Sequence, residues 1–374
     1  MARARPSRWL TPMWWLNILA AVVLLVTYLA PHVSPTLSWI PALLAMTFLY
    51  QVVLHALFVA WWFFFRRKRM LLSGGLLLLG YAHVADHVQL FGHDAPTTAI
   101  RGEGVKVMTY NVRLFDLYDW RGNKATRDAI FAVFERESPD ILCLQEYFHS
   151  PNKRFFPTRK SLLGELGYKA YHEGFTNTVS RYEQYFGIAT FSRYPIVGKG
   201  AMSFPENPFN NCIWTDIALP EDTIRVYNAH LASYHFGDAD YKFLKALDTD
   251  THTDTLKQGS ERILKRLLHG FRLRVGEVLR IAEHMRQSPH PVLYCGDMND
   301  VPMSYGYATL RALLNDAFVE SGRGTGGTYI GDLPSLRIDH ILYGHGLHAW
   351  DFRTLPDELS DHRAITARIA LTAN

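Results

Sequence analysis

Six short polar clusters carry the residues of this sequence that could do chemistry. Each lies at the end of an apolar, strand-like run between residues 105 and 365. They are Thr109-Tyr110-Asn111, Leu144-Gln145-Glu146, Asn228-Ala229-His230-Leu231, Gly296-Asp297-Met298-Asn299-Asp300, Arg337-Ile338-Asp339-His340 and Ser360-Asp361-His362. Carboxylates, amides and imidazoles supplied at strand ends along one domain are what metal-assisted hydrolysis of a phosphate ester requires. Together the clusters predict an enzyme.

The elements that must position these clusters follow from the hydrophobic pattern. Residues 105–110, 141–144, 187–191, 196–204, 212–219 and 223–228 read as strands, and residues 125–137 as a helix. The consecutive strands require antiparallel pairing, whereas the flanking β-α-β pieces require crossovers. The pattern therefore predicts an α/β domain built as a mixed two-sheet sandwich with helices outside.

The longest helix is predicted at residues 255–287, where apolar residues recur every three or four positions. Pro289 and Pro291 end it, and the strand 292–295 then delivers Gly296 and Asp297. The stretch 248–255 before this helix is predicted to be a solvated loop, because it lacks the Gly and Glu of a calcium-binding loop.

Charge and hydropathy divide the chain at about residue 93. Residues 1–93 contain seven basic residues and one acidic residue, Asp86, which leaves 32 basic and 34 acidic residues for the rest. A nearly neutral domain argues against electrostatic binding of nucleic acid, because such binding needs several Lys or Arg residues to neutralise phosphates. Three cysteines are too few and too odd in number for a disulfide framework, and Cys143 and Cys295 lie inside apolar strand runs, which indicates buried free thiols.

The apolar runs 14–30 and 39–65 are each long enough to cross a hydrocarbon core of about 30 Å. The run 70–91 is a third candidate span, and an amphipathic helix lying on the membrane surface is its alternative. We therefore predict an N-terminal membrane region at residues 1–93 with two to three transmembrane helices, a linker at 94–104, and a catalytic domain at 105–374. A cleaved signal peptide is disfavoured because no small-x-small site precedes Pro31.

Two basic clusters indicate the orientation of this region. Arg3, Arg5 and Arg8 precede the first run, and residues 66–69 follow the second. The positive-inside rule places both clusters in the cytoplasm, so a third span would put the catalytic domain outside it. The protein is then an integral protein of the cell membrane. His83 and His87 have a spacing that could hold a metal, but polar residues that end a span are the favoured interpretation.

The clusters, taken in order, resemble the endonuclease/exonuclease/phosphatase superfamily over about residues 105–371. This superfamily includes pancreatic-type deoxyribonucleases, apurinic endonucleases, inositol polyphosphate 5-phosphatases and neutral sphingomyelinases. The resemblance implies a DNase I-like four-layer α/β sandwich with the site at one edge of the packed sheets. The matching segments are residues 107–111, 144–146, 187–196, 228–231, 296–300, 337–341 and 360–362.

The resemblance also implies roles for eight residues. Glu146 resembles the principal ligand of Mg²⁺, for which Mn²⁺ is the alternative, and Asn111 and Asp361 resemble its neighbours in the metal site. Asp297 would orient or deprotonate the attacking water, and Asn299 would donate to a phosphoryl oxygen. His230 and His362 would face the phosphate, and Asp339 would fix the tautomer of His362. Less specific candidates are Tyr182, Glu183, Arg272 and Arg280, for which solvated loop and helix faces are the ordinary interpretation.

These observations predict a membrane-anchored, magnesium-dependent phosphoesterase that acts by in-line attack of water. The membrane anchor favours a phospholipid or sphingolipid head group over DNA or RNA, and the motifs themselves leave the ester open. A non-catalytic membrane sensor or scaffold that keeps the fold is the alternative, and an incomplete site would favour it. The sequence indicates the lipid bilayer as a partner and no obligate protein partner.

Overall fold

The computed structural model describes residues 10–373, except 120–122, 153–154, 235, 238–239, 241–242, 244–252 and 332–334. The basic cluster Arg3, Arg5 and Arg8 and residues 248–252 of the predicted loop lie outside the described residues.

Five helices form the N-terminal region. They are α1 (Leu10–Thr27), α2 (Ile40–Ala45), α3 (Phe48–Phe65), α4 (Met70–Leu79) and α5 (Tyr81–His87). Only α1 and α3, among the described residues, are long and apolar enough to be candidate membrane spans, each with a mean hydropathy of 1.8. The apolar run 39–65 does not form one helix, because the chain breaks between α2 and α3 at Thr47, whose hydroxyl donates to the Leu44 carbonyl. Hydropathy does not register such a break.

A buried polar network joins α1, α3 and α4. The Asn17 amide donates to Ser73 Oγ at 2.7 Å, and Trp62 Nε1 donates to Asn17 Oδ1 at 2.9 Å. His55 Nδ1 lies 2.9 Å from the same Ser73 hydroxyl. Polar groups in an apolar bundle require partners, so these contacts fix how the three helices pack.

The remainder of the chain forms two six-stranded sheets. The strands are β1 (Ile100–Asn111), β2 (Ile141–His149), β3 (Ala170–Val179), β4 (Gln184–Ser192), β5 (Ile196–Ser203), β6 (Asn211–Ala218), β7 (Thr223–His230), β8 (Val292–Asp297), β9 (Asn315–Asp316), β10 (Asp339–Tyr343), β11 (Leu347–Thr354) and β12 (Ile365–Thr372). Their orders are β11-β12-β1-β2-β4-β3 and β5-β6-β7-β8-β10-β9. Strand β1 begins at Ile100, inside the predicted linker, and pairs with the end of β12. The hydrophobic pattern of the sequence predicted neither β3 nor the strands after β8.

The main helices of this domain lie outside the sheets. They are α6 (Lys124–Glu137), α7 (Thr158–Gly164), α8 (Thr253–Arg286), α9 (Tyr305–Arg311) and α10 (Ala317–Ser321). One apolar core, including Val107, Ile224 and Ile365, fills the space between the sheets. A second core packs α6 on the outer face of the first sheet, and a third packs α8 on the outer face of the second. The predicted four-layer α/β sandwich is therefore confirmed. Cys143 and Cys295 are free and buried, as predicted, and Cys212 is as well.

The N-terminal helices pack directly on the sandwich. Leu24 of α1, Phe48 of α3 and Leu76 of α4 share an apolar cluster with Val301 and Ile338 of the sandwich. A separate cluster packs α2 against α8. Backbone hydrogen bonds of 2.8 and 2.9 Å also join residue 89 to residue 324 in both directions. The two regions therefore meet at an extended, close-packed contact.

Buried histidines predict acid sensitivity of the sandwich. Burial lowers the pKa of His149 and His172 to about 4 and that of His340 to about 3. The unfolded chain binds these protons below about pH 6.5 and the native state does not, so stability falls as pH drops below that value. Each group contributes at most about 1.4 kcal/mol to the free energy of unfolding per pH unit.

We expect the thermal unfolding midpoint of the detergent-solubilised chain to fall as the pH is lowered from 6.5 toward 4. The fall should be less steep in His172→Gln than in the control His345→Gln, which changes an exposed side chain.

Candidate active site

The topology brings the six polar clusters to one edge of the sandwich. Strands β1 and β2 run parallel, as do β7 and β8, so their carboxyl ends meet at the same edge. Strand β10 is antiparallel to β8, and Asp339 at its amino end is the register partner of Asp297. Strand β12 is antiparallel to β1, which brings His362, three residues before β12, to that edge as well.

Asp297 lies at the centre of this edge and is 1% exposed. The Asn111 amide donates to its Oδ2 at 3.0 Å, and the backbone N–H of Asn299 donates to its Oδ1 at 2.8 Å. The Nε2 atoms of His230 and His362 each lie 3.6 Å from the same Oδ2. Four candidates from separate parts of the sequence therefore surround one carboxylate.

His362 and Asp339 form a buried pair behind Asp297. Nδ1 of His362 lies 2.8 Å from Oδ2 of Asp339, so its Nε2 points to the Asp297 side of the ring. The Thr328 hydroxyl accepts the backbone N–H of Asp339 at 3.1 Å. Oδ1 of Asp339 is buried and has no hydrogen-bond partner among the described residues.

Glu146 enters the site from an irregular position in β2. The pairing of β2 with β4 shifts register between Leu144 and Tyr147, and Glu146 adopts a left-handed φ of 47°. Such bulges redirect a side chain at a sheet edge. Oε1 of Glu146 lies 3.3 Å from the Asn111 amide nitrogen and 3.9 Å from His230 Nε2, and its side chain is 36% exposed.

Asp361 and Asn299 lie around this centre. The Ser360 hydroxyl is 3.1 Å from Asp361 Oδ1, and Arg113 Nε is 3.5 Å from Oδ2. The Asn299 amide nitrogen donates to the Leu231 carbonyl at 3.0 Å. That bond uses one of its two N–H groups and ties the loop after β8 to the end of β7.

The pKa values of His362, Asp297 and Glu146 are all raised, for different reasons. Burial lowers the pKa of His362, but Asp339 and Asp297 outweigh it and hold that pKa well above its usual value. Burial raises the pKa of Asp297, and the nearby imidazoles oppose the rise. Desolvation also raises the pKa of Glu146, with Asp361 acting in the same direction and His230 against it.

The oxygen-rich side of the site fits a divalent cation. Glu146 and Asp361 are two carboxylates near enough to raise the pKa of Glu146, and a cation would relieve that repulsion. Carboxylate oxygens are the donors that Mg²⁺ prefers. The Asn111 amide nitrogen faces Glu146 and Asp297, and its oxygen accepts from the Arg113 backbone N–H at 3.1 Å, which leaves one lone pair of that oxygen for a cation. Asp297, Asp339 and His362 also place ligand atoms within 4.8 Å of one another, the one such group among the described residues. The tight pairing of His362 with Asp339 makes that group the poorer site for a hard cation.

Two neighbours of the site carried no signal in the sequence. The ring of Tyr329 packs edge-on against His362 with centroids 5.5 Å apart, and Arg113 contacts Asp361. Both come from segments without a recognisable motif. Arg280 instead forms an exposed ion pair with Glu206 at 2.8 Å, as expected for a solvated helix face. His87 Nδ1 lies 2.8 Å from the carbonyl of His83, which accounts for that spacing without a metal.

The order of these site segments matches a known family model. The model for the endonuclease/exonuclease/phosphatase family matches residues 108–362, more than two thirds of the chain. The chain belongs to the endonuclease/exonuclease/phosphatase family. A second model, described as a domain of unknown function (DUF8431), matches residues 8–87, so it covers the N-terminal helices. Among curated proteins, none matches this chain.

Solved structures of the endonuclease/exonuclease/phosphatase family share the fold. The protein from Beutenbergia cavernae is 17% identical with a TM-score of 0.51, and the match covers 72% of each chain. The family member from Bacteroides thetaiotaomicron is 17% identical with a TM-score of 0.50, over 73% of this chain and 97% of that one. A humanized D. rerio TDP2 is 14% identical with a TM-score of 0.50, over 72% and 99%. At these identities the likeness supports the fold alone.

The His362–Asp339 pair of this family member gives a direct spectroscopic prediction. In Asp339→Asn, the carboxylate that contributes most to the raised pKa of His362 is removed, so we expect that pKa to fall markedly. NMR titration of ¹⁵N-histidine-labelled protein measures it. The control Asp351→Asn changes a carboxylate that pairs with Arg353. An unchanged His362 titration in Asp339→Asn would contradict the pairing.

Proposed function

We propose that the protein is a membrane-anchored, Mg²⁺-dependent phosphoesterase that hydrolyses phosphodiester bonds outside the cytoplasm. One observation carries the proposal: Asn111, His230 and His362 all approach Oδ2 of Asp297 within 3.6 Å, with Glu146 beside them. Family membership supports hydrolysis of phosphate esters as the reaction class.

Asp297 is the proposed base that orients and deprotonates the attacking water. Hydrogen bonds from Asn111 and from the backbone of Asn299 fix both of its oxygens. Its raised pKa makes it a better proton acceptor than an ordinary carboxylate.

The two imidazoles are the proposed contacts to the phosphoryl oxygens. The raised pKa of His362 favours its cationic form, whose Nε2–H can donate to an oxygen on which charge develops. Asp339 holds the ring in place through Nδ1. His230 faces the same space from the second sheet, so the phosphate would lie between two donors.

Glu146, Asn111 and Asp361 are the proposed residues that hold Mg²⁺, with Mn²⁺ as a substitute. A bound divalent cation would supply charge stabilisation of the phosphoryl group. Glu146 is the residue of this set whose side chain is most open to the cleft, at 36% exposed. Asn299 is also proposed to hold His230 and Asp297 in position, because its side-chain amide joins the two segments that carry them.

The packing of the N-terminal helices supports an extracytoplasmic catalytic domain. The sandwich contacts Leu24 and Ala30 at the end of α1 and Phe48 at the start of α3. The basic residues 66–69 lie at the opposite end of α3. If this basic end is cytoplasmic, as the positive-inside rule requires, the sandwich lies on the other side of the membrane.

The third apolar run is proposed to cross the membrane with α1 and α3. Helix α4 starts directly after the basic residues, and α5 ends where Arg337 Nη2 donates to the Asp86 carbonyl at 2.7 Å. The two helices therefore lead from the basic end back to the sandwich. Ser73 of α4 is buried against Asn17 and His55, as expected of a bundle member rather than a surface helix.

The proposed substrate is a lipid phosphodiester in preference to a nucleic acid. A cleft of about 620 Å³ is lined by Glu146 and His230 and by apolar side chains that include Phe186, Ile188 and Phe209. A cleft with a polar end and apolar sides can bind an amphiphile whose phosphate lies at the polar end. A nucleic-acid cleft would instead require basic residues to neutralise phosphates.

The proposal is tested by Mg²⁺-dependent product release from phospholipid and sphingolipid micelles, with plasmid DNA in parallel. Head-group release would support the lipid phosphodiesterase, whereas cleavage of DNA alone would identify an anchored nuclease. No release from either substrate, or from soluble phosphate monoesters, would favour a sensor or scaffold. A topology reporter fused after Asn374 tests the orientation independently, and a cytoplasmic signal would overturn the extracytoplasmic assignment.

A further inference from the structure

A cavity of about 230 Å³ lies at the junction between the N-terminal helices and the sandwich. Its helical side is formed by Phe48, Leu49 and Val53 of α3, and its other side includes Pro302 and Leu336 of the sandwich. The cavity is distinct from the cleft that contains Glu146 and His230, with which it shares no lining residue. Its size exceeds the roughly 150 Å³ of an engineered apolar cavity that accepts benzene, so it can hold a segment of hydrocarbon.

The cavity opens onto the apolar outer face of α3. Tyr50 and Val53 line it and are 62% and 59% exposed. The same outer face continues along α3 through Leu54 and Leu57. Val53 lies about 7.5 Å beyond the start of α3, at about 1.5 Å per residue. A chain in the surrounding bilayer can therefore enter the cavity from the side without crossing a polar surface.

The end of the cavity at the sandwich is polar. Thr325, Ser335 and Arg337 line it there. The Arg337 guanidinium is held by Asp316 Oδ2 at 2.7 Å and by the Asp86 carbonyl at 2.7 Å. Its Nε is buried and has no hydrogen-bond acceptor among the described residues, so a ligand in the cavity does not reach it. Thr325 and Ser335 are exposed and supply the hydroxyl donors at this end of the cavity.

The polarity of the cavity matches the polarity of a lipid in the leaflet next to the sandwich. Such a lipid has its ester groups near the sandwich and its chains toward the bilayer centre. The polar lining at Thr325 and Ser335 would then meet the ester carbonyl, and the apolar lining at Leu49 and Val53 would meet the chain. We propose that the cavity binds one acyl chain of a bilayer glycerolipid, whose ester carbonyl accepts a hydrogen bond from the hydroxyl of Thr325 or Ser335.

A lipid bound in this cavity would stabilise the two loops that support the candidate active site. Val301 and Pro302 follow directly after Asp300, and Leu336 and Arg337 precede Asp339. A lipid chain between these loops and α3 adds apolar contacts where the helices meet the sandwich. The inference rests on the proposed membrane anchoring and not on the proposed hydrolysis.

Photolabelling of the full chain in vesicles tests the site. The probe is phosphatidylcholine with a diazirine in one acyl chain, and the adducts are mapped by peptide mass spectrometry. We expect adducts on Pro302 and Leu336, which belong to the sandwich and line the cavity. Labelling of these two residues should be lost in Val53→Trp, because the larger side chain blocks the opening. The control Leu57→Trp changes a side chain of similar exposure, 62%, one turn further along α3, and should keep the labelling.

The same experiment separates this inference from the proposed anchoring. Adducts on Leu54 and Leu57 without adducts on Pro302 or Leu336 would overturn the lipid site while leaving the anchor intact. Failure of the protein to float with the vesicles would overturn the anchor, and the lipid site with it. Equal loss of labelling in Val53→Trp and Leu57→Trp would also contradict the site, because it would show no role for the opening.

Discussion

Replacement of Asp297 with asparagine is expected to reduce kcat for phosphodiester hydrolysis by about 10²–10⁴-fold, the usual contribution of a positioned general base. The amide has nearly the same shape but cannot accept the proton of the attacking water. Asp297 accepts hydrogen bonds from Asn111 and from the Asn299 backbone, so the variant also changes the partners of two neighbouring groups. Steady-state kinetics with the lipid or nucleic-acid substrate that the wild type hydrolyses provides the measurement.

Two observations distinguish this effect from misfolding. Asp128→Asn, which changes an exposed carboxylate on α6, should keep wild-type activity. Asp297→Asn should keep the wild-type unfolding temperature to within a few degrees, because the asparagine still fills the same buried volume. If Asp297→Asn kept more than a tenth of wild-type kcat, Asp297 would not be the general base.

Replacement of Glu146 with glutamine is expected to abolish Mg²⁺ binding and to lower activity at least about 10²-fold, since metal ions contribute several kcal/mol to transition-state stabilisation. The glutamine keeps the size of the side chain but removes the charge that repels Asp361 and attracts a cation. Chelation of the wild type with EDTA should cause the same loss, and added Mg²⁺ or Mn²⁺ should reverse it.

Titration calorimetry, or electron paramagnetic resonance of Mn²⁺, measures the binding step without a substrate. Glu283→Gln, which changes an exposed carboxylate on α8 that pairs with Arg286, serves as the control and should bind like wild type. If Glu146→Gln bound the ion normally and Asp339→Asn did not, the cation would belong to the group formed by Asp297, Asp339 and His362. EDTA-resistant activity would contradict metal dependence itself.

The candidate site residues were recognisable in the sequence because each lies next to a short apolar run, after it in most clusters and before it at Asp339 and His362. Strand ends deliver side chains to a sheet edge, and the runs ending near Asn111, Glu146, His230 and Asp297 were identifiable from local hydrophobicity alone. The same local rules located the long helix, predicted at 255–287 and observed at Thr253–Arg286. Hydrophobic periodicity and local composition depend only on residues close together in the chain, so they predict elements without knowledge of the fold.

Which of these residues touch was decided by tertiary structure. Asn111 and Asp297 are 186 positions apart, yet their side chains meet at 3.0 Å. Asn228 lies in the same motif as His230 but joins the two sheets, accepting from Gln145 at 2.7 Å and donating to the Ala189 carbonyl at 2.9 Å. The bulge that turns Glu146 into the cleft depends on the pairing of β2 with β4. No local pattern distinguishes these roles.

The contact between the N-terminal helices and the sandwich was likewise not recognisable in the sequence. Hydropathy predicted separate regions joined by a linker at 94–104, whereas Leu24, Phe48 and Leu76 share an apolar cluster with Val301 and Ile338 of the sandwich. The sequence by itself determined the fold class and the set of candidate site residues, because both follow from residue type and short-range periodicity. Tertiary structure alone decided the contacts within the site and the junction with the helices, because these depend on packing between segments far apart in the chain.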